Sequence, residues 1–460
     1  MSIYQKCVGE WLFPLHEKLK GHQTIHIHKQ LEQSQWFAPA EIAELQLQSL
    51  RSFLARIAKT VPYYEKQFAE LGFHPDLVSH LDDLQRLPLM DKATIRAHTD
   101  SMVARGAVGL KRFNTGGSSG QPLVFYLGNE RVGHDVAAKR RATRWWGVDI
   151  GDPEIVVWGS PIELGAQDRL RLLRDRLFRT ELLSAFEMSE QNIAGFIARI
   201  RQVRPAMLFG YPSSLTMIAE HARDRGLDLQ GLGIKVVFVT SERLYDHQRL
   251  IMERIYGCPV ANGYGGRDAG FIAHECPEGS LHITAEDMVL EIVDPSGRVL
   301  PAGQSGEIVI THLYTSEFPF VRYRTGDIGV VDDKPCACGR GLPVLASVEG
   351  RSTDFVTAAD GTVLHGLALI YVLRDMPEVE EFRIVQETLL HTRIEVVTHS
   401  KDKRNIEEIV QNQFRQRLGA AVKISIDFVA AIPREKSGKF RYVISKLSPD
   451  RGTTQEEGTR

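Results

Sequence analysis

The sequence predicts an α/β protein in two parts. A large multi-sheet N-terminal domain, residues 1–349, is built on parallel βαβ units and closed by a β subdomain, and a small mobile α+β domain follows over 350–460. Three observations lead there. Short apolar runs alternate with helix-period stretches from 153 to 264, the pattern changes to hairpins between 287 and 331, and a new strand-and-helix pattern starts after Gly350. At 460 residues the chain also exceeds what one hydrophobic core supports, so a large and a small domain are the expected division.

Taken in chain order, residues 41–71 read as helix, with Ile42, Leu45, Leu50, Phe53, Leu54 and Ile57 at three- and four-residue spacing. Glu154–Trp158, Ala206–Phe209 and Ile234–Val239 read as buried strands, separated by helical stretches at 190–203, 213–225 and 245–256. In such units ligands gather where strands end, which draws attention to Gly210–Ser214 and Thr240–Glu242. Met288–Val293, the turn Asp294–Gly297 and Gly306–Leu313 read as a hairpin. The small domain reads as strands at 380–386 and 392–397, a helix at 404–418 and a strand at 422–430. The tail after Ser448 carries no structural pattern and reads as disordered.

Composition narrows the function classes. A formal charge of −2 with both signs interspersed makes no case for nucleic acid or an anionic membrane as the main partner, and leaves small-molecule chemistry. No run of about 18 apolar residues occurs, which excludes membrane insertion by a spanning helix. The first residues lack a basic stretch leading into an apolar core, so the expected location is the cytoplasm. Five cysteines in a chain this long argue for reduced or metal-bound thiols, not a disulfide framework.

Four segments carry candidate chemistry. Phe113–Pro122 reads F-N-T-G-G-S-S-G-Q-P, whose backbone N–H groups and hydroxyls suit a phosphate; Gln121 stands where a Walker A loop needs lysine, so it is not that motif. Asn262–Gly270 combines Tyr264 and Asp268 with four glycines. Val321–Gly329 sets Asp327 after a glycine, where a carboxylate can accept hydrogen bonds from a ribose diol. Ile432–Arg441 lifts Lys439 on a Ser-Gly turn bracketed by apolar runs. Each alone is an ordinary surface turn.

In this order and at these separations the segments resemble the adenylate-forming superfamily, and within it the phenylacetate–coenzyme A ligase-like branch that includes relatives from capsule-biosynthesis loci. The resemblance runs from about residue 80 to about 446. It implies that Thr115, Gly116, Gly117, Ser118, Ser119 and Gly120 form the phosphate loop. It implies further that Tyr264 and Gly265 contact adenine, that Asp268 holds magnesium, and that Asp327 binds both ribose hydroxyls. Arg351 then contacts the nucleotide after the domain junction, and Lys439 bridges the carboxylate oxygen and the α-phosphate. Three departures stand out. No lysine follows the phosphate loop, aspartate replaces the usual glutamate at 268, and the segment from Asp354 to Gly366 looks closer to the capsule-locus relatives, which leaves the acceptor open.

Cys276 and His282, with Cys336 and Cys338, offer three thiolates and one imidazole beside turn-forming Pro and Gly, the donor set of a closed zinc site; His274 is the alternative imidazole. Reduced surface thiols are the plainer reading. His274-Glu-Cys-Pro lacks the Pro-Cys-x-x-Cys partner of a deaminase, and that reading is rejected.

The resemblance implies ATP-dependent activation of an aromatic or apolar carboxylic acid to an acyl-adenylate, then transfer to a thiol, with ATP, Mg2+ and coenzyme A as cofactors. Trp158, Phe209, Tyr211 and Phe238, at strand ends, are candidates for the acyl pocket with Gly263, although most such aromatics are core. The alternatives are an amide- or ester-forming ligase with an amine or hydroxyl acceptor, in polysaccharide or secondary-metabolite assembly, and a noncatalytic nucleotide-binding relative. A homodimer is expected by analogy.

Overall fold

The computed structural model describes residues 3–114, 123–158, 169–185, 190–351, 355–360, 363–365, 367–374, 376–400, 402–433 and 441–447. These fall into two compact units, one running to Glu349 and the other starting at Gly350.

In the first unit the buried apolar runs make strands and the helix-period stretches cover them. The sheet order is Met288–Val293, Gly306–His312, Tyr323–Asp332, Val344–Arg351, Leu281–Ile283, Gly270–Glu275, Val260–Gly266, Val236–Thr240, Met207–Gly210, Glu154–Trp158, Thr180–Ser184. The last five strands are parallel. Every residue of Met207–Gly210 and Val236–Thr240 is buried, which is why both read as unbroken apolar runs without alternation. Helices Glu190–Val203, Pro212–Asp224 and Asp246–Tyr256 close one face through Ile197, Leu215 and Met252. The hairpins predicted as a closing subdomain continue this sheet instead of forming one of their own: Met288–Val293 pairs antiparallel with Gly306–His312, and that strand with Tyr323–Asp332. Their apolar side packs against Leu50, Phe53, Leu54 and Ile57.

Two parts of this unit differ from expectation. The single helix predicted over 41–71 is two, Pro39–Thr60 and Pro62–Leu71. Pro62 supplies no N–H and forces Val61 out of the helical region, to φ −108° and ψ 111°. Helix Asn129–Trp145 carried no amphipathic signal because the side chains it buries include Arg131, His134 and Arg141. These polar groups are paired: Arg141 with Glu286 at 2.6 Å, His134 with Asp287 at 2.7 Å, Arg131 with Asp135 at 3.0 Å.

The second unit holds a four-stranded sheet ordered Lys423–Phe428, His391–Val397, Glu381–Thr388, Val443–Ser445. Helix Lys403–Leu418 buries Ile406, Val410, Phe414 and Leu418 and is capped by Asp402, whose carboxylate accepts from the Asn405 N–H. The tail from Ser448 lies outside the described residues.

Candidate functional site

The segment Asn262–Gly270 folds as a tight hairpin. Tyr264 pairs with Ala273, Gly265 with Phe271 and Gly266 with Gly270, with a bulge between Tyr264 and Gly265. Glycine is required at 265, because a Cβ there would lie 2.3 Å from the Gly270 carbonyl oxygen. The bulge and turn carry Tyr264 and Asp268 toward the strand Tyr323–Asp332. There the Tyr264 hydroxyl donates to Asp327 Oδ2 at 2.8 Å, and the Tyr323 hydroxyl donates to Asp268 Oδ2 at 2.6 Å. Burial, then the Asp327 charge, pushes the Tyr264 phenol well above its ordinary range, so it stays a proton donor.

The backbone around Asp327 is held from the neighbouring strand. Thr325 Oγ1 donates to the Ile308 carbonyl at 2.8 Å and accepts from the Asp327 N–H at 3.1 Å, while Gly326 at φ +78° donates to Glu307 Oε1 at 3.2 Å. The start of the same strand is fixed by Arg322, which sits at φ +52°, pairs with Glu291 at 3.0 Å and donates to the Leu87 carbonyl at 2.8 Å. Tyr323 was not among the predicted residues. Its signal was the tyrosine four positions before Asp327 in Val321–Gly329.

Three predicted elements meet the limits of the described residues. Thr115–Gly120 lies outside them; the antiparallel strands Lys111–Asn114 and Val124–Leu127 bracket it, Asn114 opposite Val124. Arg351 ends the strand Val344–Arg351, and its side chain lies outside. Lys439 also lies outside, within 434–440. Both approaches to that segment are tied to the strand Glu381–Thr388: Arg383 donates to the Pro433 carbonyl at 3.1 Å, and Val443 pairs with Ile384.

The aromatic residues form one row across adjacent parallel strands. Trp158 stacks on Tyr211 with centroids 4.3 Å apart and on Phe209 at 6.0 Å, and Phe209 stacks on Phe238 at 5.8 Å. Phe209, Tyr211 and Phe238 are buried, whereas Trp158 is half-buried at the end of its strand. A Cβ at Gly263 would meet the Phe238 ring at 2.8 Å, so glycine there makes room for that ring. Lys139 Nζ lies 4.0 Å over the Phe209 ring.

The structure also gathers Cys276, His282, Cys336 and Cys338, with ligand atoms all within 4.8 Å of one another. Cys276 Sγ is 3.7 Å from Cys336 Sγ, and His282 Nε2 is 3.2 Å from Cys338 Sγ. His282 Nδ1 faces the Leu342 carbonyl at 3.2 Å, the partner that leaves Nε2 for a metal, and burial holds the ring down to about 4, in its neutral form. His274 is opposite His282 in the sheet but its ring stacks on Phe271, centroids 5.4 Å apart, and it is not part of the cluster.

Residues 356–446 match the family described as the CapK C-terminal domain. The chain is 24% identical to protein CapK of Staphylococcus aureus over 433 residues, 93% of this chain and 94% of that protein. It is 25% identical to a phenylacetate–coenzyme A ligase of Thermus thermophilus over 437 residues, 88% of this chain and 96% of the relative. Among solved structures, 2-hydroxyisobutyryl-CoA ligase in the postadenylation state, in complex with R3-HIB-AMP, superposes with a TM-score of 0.73 at 21% identity, covering 89% of this chain and 91% of that one. Relatives of both names thus align along nearly their whole length and the fold is held in common, so the chain is similar throughout to the adenylate-forming phenylacetate–coenzyme A ligases and to CapK, and its residues 356–446 match the CapK C-terminal family.

Proposed function

We propose that the protein uses ATP to activate an aromatic or otherwise apolar carboxylic acid, releasing pyrophosphate, and then passes the acyl group to a thiol, coenzyme A. The observation that carries this reading is the crossed pair of bonds, Tyr264 to Asp327 and Tyr323 to Asp268. They gather a ring and two carboxylates at one end of the sheet, in a chain that aligns along its length with phenylacetate–coenzyme A ligases.

A carboxylate is a poor acyl donor because its oxygen leaves badly. Attack of that oxygen on the α-phosphorus of ATP breaks the bond to pyrophosphate and makes a mixed anhydride. The thiol sulfur then attacks the acyl carbon, AMP leaves, and the thiol proton passes to solvent. The protein's task is to bring two anions together and neutralise the charge that develops. In this reading Asp327 accepts the ribose hydroxyls and Tyr264 lies against adenine beside Gly265. Thr115–Gly120 cradles phosphate oxygens, and Arg351 contacts the nucleotide. Asp268 is the carboxylate that would hold Mg2+, which screens the phosphates when bound. Lys439 stabilises charge between the carboxylate and the α-phosphate. Trp158, the half-buried member of the aromatic row, faces the acyl group, with Tyr211, Phe209, Phe238 and Gly263 backing it.

Cys276, His282, Cys336 and Cys338 are the residues we assign to a structural zinc ion. Three soft thiol donors and a neutral imidazole at mutual ligand distance suit a closed site with no open position, and such an ion would tie the hairpin Gly270–Ile283 to the segment before Val344.

A second reading passes the acyl group to an amine or hydroxyl in place of coenzyme A: residues 356–446, which include Lys439, match the CapK C-terminal domain, a family whose name specifies no acceptor.

A panel of aromatic and aliphatic acids assayed for acid-dependent pyrophosphate release, with and without coenzyme A, tests both steps. Release with at least one acid, and thioester when coenzyme A is added, is the expected result. Release without thioester moves the acceptor to the second class. No release with any acid, from folded protein that binds ATP, overturns the proposal.

A further inference from the structure

The first helices carry an outward apolar stripe that the candidate site does not use. Ile3–Cys7, Val8–Leu12 and Phe13–Leu19 run on from one another, with helical backbone angles at both joins, and the middle stretch is a π turn. Every fourth residue, Ile3, Cys7, Trp11, Leu15 and Leu19, is exposed. Residues four apart share a face of a helix, and the wider π turn offsets the drift that a four-residue step accumulates. The exposures are large: 89% for Ile3, 75% for Trp11, 80% for Leu19. The opposite side is already satisfied, with Val8 and Phe13 buried.

A second helix extends the stripe. Arg169–Phe178 ends against this run: the Tyr4 hydroxyl donates to the Leu177 carbonyl at 2.8 Å, and the Phe178 ring meets Phe13 and His16 edge-on at 5.8 and 5.2 Å. One turn apart, Leu173 and Leu177 are 55% and 40% exposed. Basic residues rim the combined surface. Lys6, Lys18, Lys20, Arg176 and Arg179 are all exposed. The acids nearby offset them only in part, since Glu10 is exposed but Glu17 is buried under Thr24 and His22 and Asp175 is paired with Arg174. The whole-chain charge of −2 conceals this local asymmetry.

We propose that this face seats the protein on an anionic lipid surface, the apolar stripe entering the headgroup region and the basic rim facing lipid phosphates. Apolar side chains including a tryptophan, edged by lysine and arginine, are the chemistry of an interfacial helix. No helix among the described residues is long and apolar enough to cross a membrane, so the attachment is peripheral. A second copy of the chain fits less well. A two-fold interface would bring the basic rim against itself, with Glu10 as the one exposed acid along the run to answer it.

The test is co-sedimentation of the full chain with vesicles of phosphatidylcholine alone, and of phosphatidylcholine mixed with phosphatidylglycerol. Binding to the anionic vesicles, weakened by salt, is expected. Trp11→Glu with Leu15→Glu should lower it by more than about tenfold, and Lys6→Glu with Lys18→Glu by roughly tenfold. All four positions are exposed, so melting temperatures should stay at the parent value and separate lost binding from lost fold. Equal binding to neutral and anionic vesicles, no binding, or binding untouched by Trp11→Glu with Leu15→Glu overturns the proposal. So does a dimer that these substitutions convert to monomer in a chain that ignores vesicles, which would assign the face to a second copy.

Discussion

Tyr264 and Asp327, 63 positions apart in sequence, are joined by a 2.8 Å hydrogen bond from phenol to carboxylate. A second bond, Tyr323 to Asp268, crosses between the same two segments in the opposite sense. Each carboxylate is therefore oriented by a tyrosine from the other segment, and the ring expected against adenine is fixed by the carboxylate expected on ribose. The two nucleotide contacts should behave as one unit.

Asp327→Ala should weaken ATP binding by about 10- to 100-fold, the worth of a charge-assisted hydrogen bond. Tyr264→Phe keeps the ring and removes only the orienting bond, so a loss of roughly 3- to 10-fold is expected. Calorimetric titration of the folded variants checks both. Because the contacts are coupled, the double variant should lose less than the two single losses multiplied together. Strict additivity would separate Tyr264 from the ribose contact.

Arg322 supports this arrangement from beneath. Its pair with Glu291 is buried, and burial pushes the Glu291 carboxyl up even against the arginine, so removing the cation strands an unfavourable charge. Arg322→Ala should cost about 3–5 kcal/mol in a denaturant melt. Arg322→Met with Glu291→Leu should recover most of that loss. Unchanged stability in Arg322→Ala would mean that the pair is not what anchors the strand bearing Tyr323 and Asp327.

His312 gives the fold a pH dependence. It is buried, and desolvation first, then the charges of Arg131 and His134, holds its pKa well below the ordinary value; its Nδ1 accepts from the Tyr314 N–H at 3.2 Å. The unfolded chain therefore binds a proton that the folded chain refuses. Stability from this group is present above about pH 6.5 and falls as pH drops below it. His312→Gln keeps an acceptor and does not titrate, so its melting temperature should fall less steeply between pH 7 and pH 5 than the parent's. Parallel slopes would remove His312 as a source of the acid sensitivity.

Much of this was legible in the chain, and what was not has identifiable causes. The parallel strands and their three covering helices followed from apolar runs and helical periods, because burial on both faces leaves no other composition available. The break at Pro62 was readable and was passed over within a helix-period stretch. Helix Asn129–Trp145 was illegible because Arg131, His134 and Arg141 are buried by pairing with Asp135, Asp287 and Glu286, two of which lie about 150 residues away. The cysteine cluster was legible as residue types, yet the choice of His282 over His274 needed the ring orientations, since the two are cross-strand neighbours. The stripe from Ile3 to Leu19 escaped notice because whole-chain charge averages over it.

Protein purified without chelator should contain about one zinc per chain, the one-ion, four-ligand stoichiometry of a closed site. Cys276→Ser or Cys338→Ser should lose the metal and lower the melting temperature by more than about 5 °C. ATP affinity should move little, because four protein ligands leave no position for a substrate. Elemental analysis without zinc, or variants that melt with the parent, would leave the four side chains as packed thiols and an imidazole.

Lys439 is where a catalytic and a merely structural reading separate most cleanly. The segment that carries it is anchored through Pro433 and Val443 to the strand Glu381–Thr388, so substituting the lysine should leave the small unit folded. If its ammonium stabilises the charge growing between carboxylate and α-phosphate, Lys439→Ala should slow adenylation by roughly 10²–10³-fold, as removal of one preorganised donor does elsewhere. ATP affinity should barely change, since the adenine and ribose contacts proposed for Tyr264 and Asp327 do not involve the lysine. Acyl transfer from chemically supplied adenylate should survive, because the lysine has no charge to neutralise once pyrophosphate has gone. Single-turnover measurements of the two half-reactions resolve these outcomes. Both falling together, or neither falling, would remove Lys439 from the chemistry and return its loop to an exposed turn.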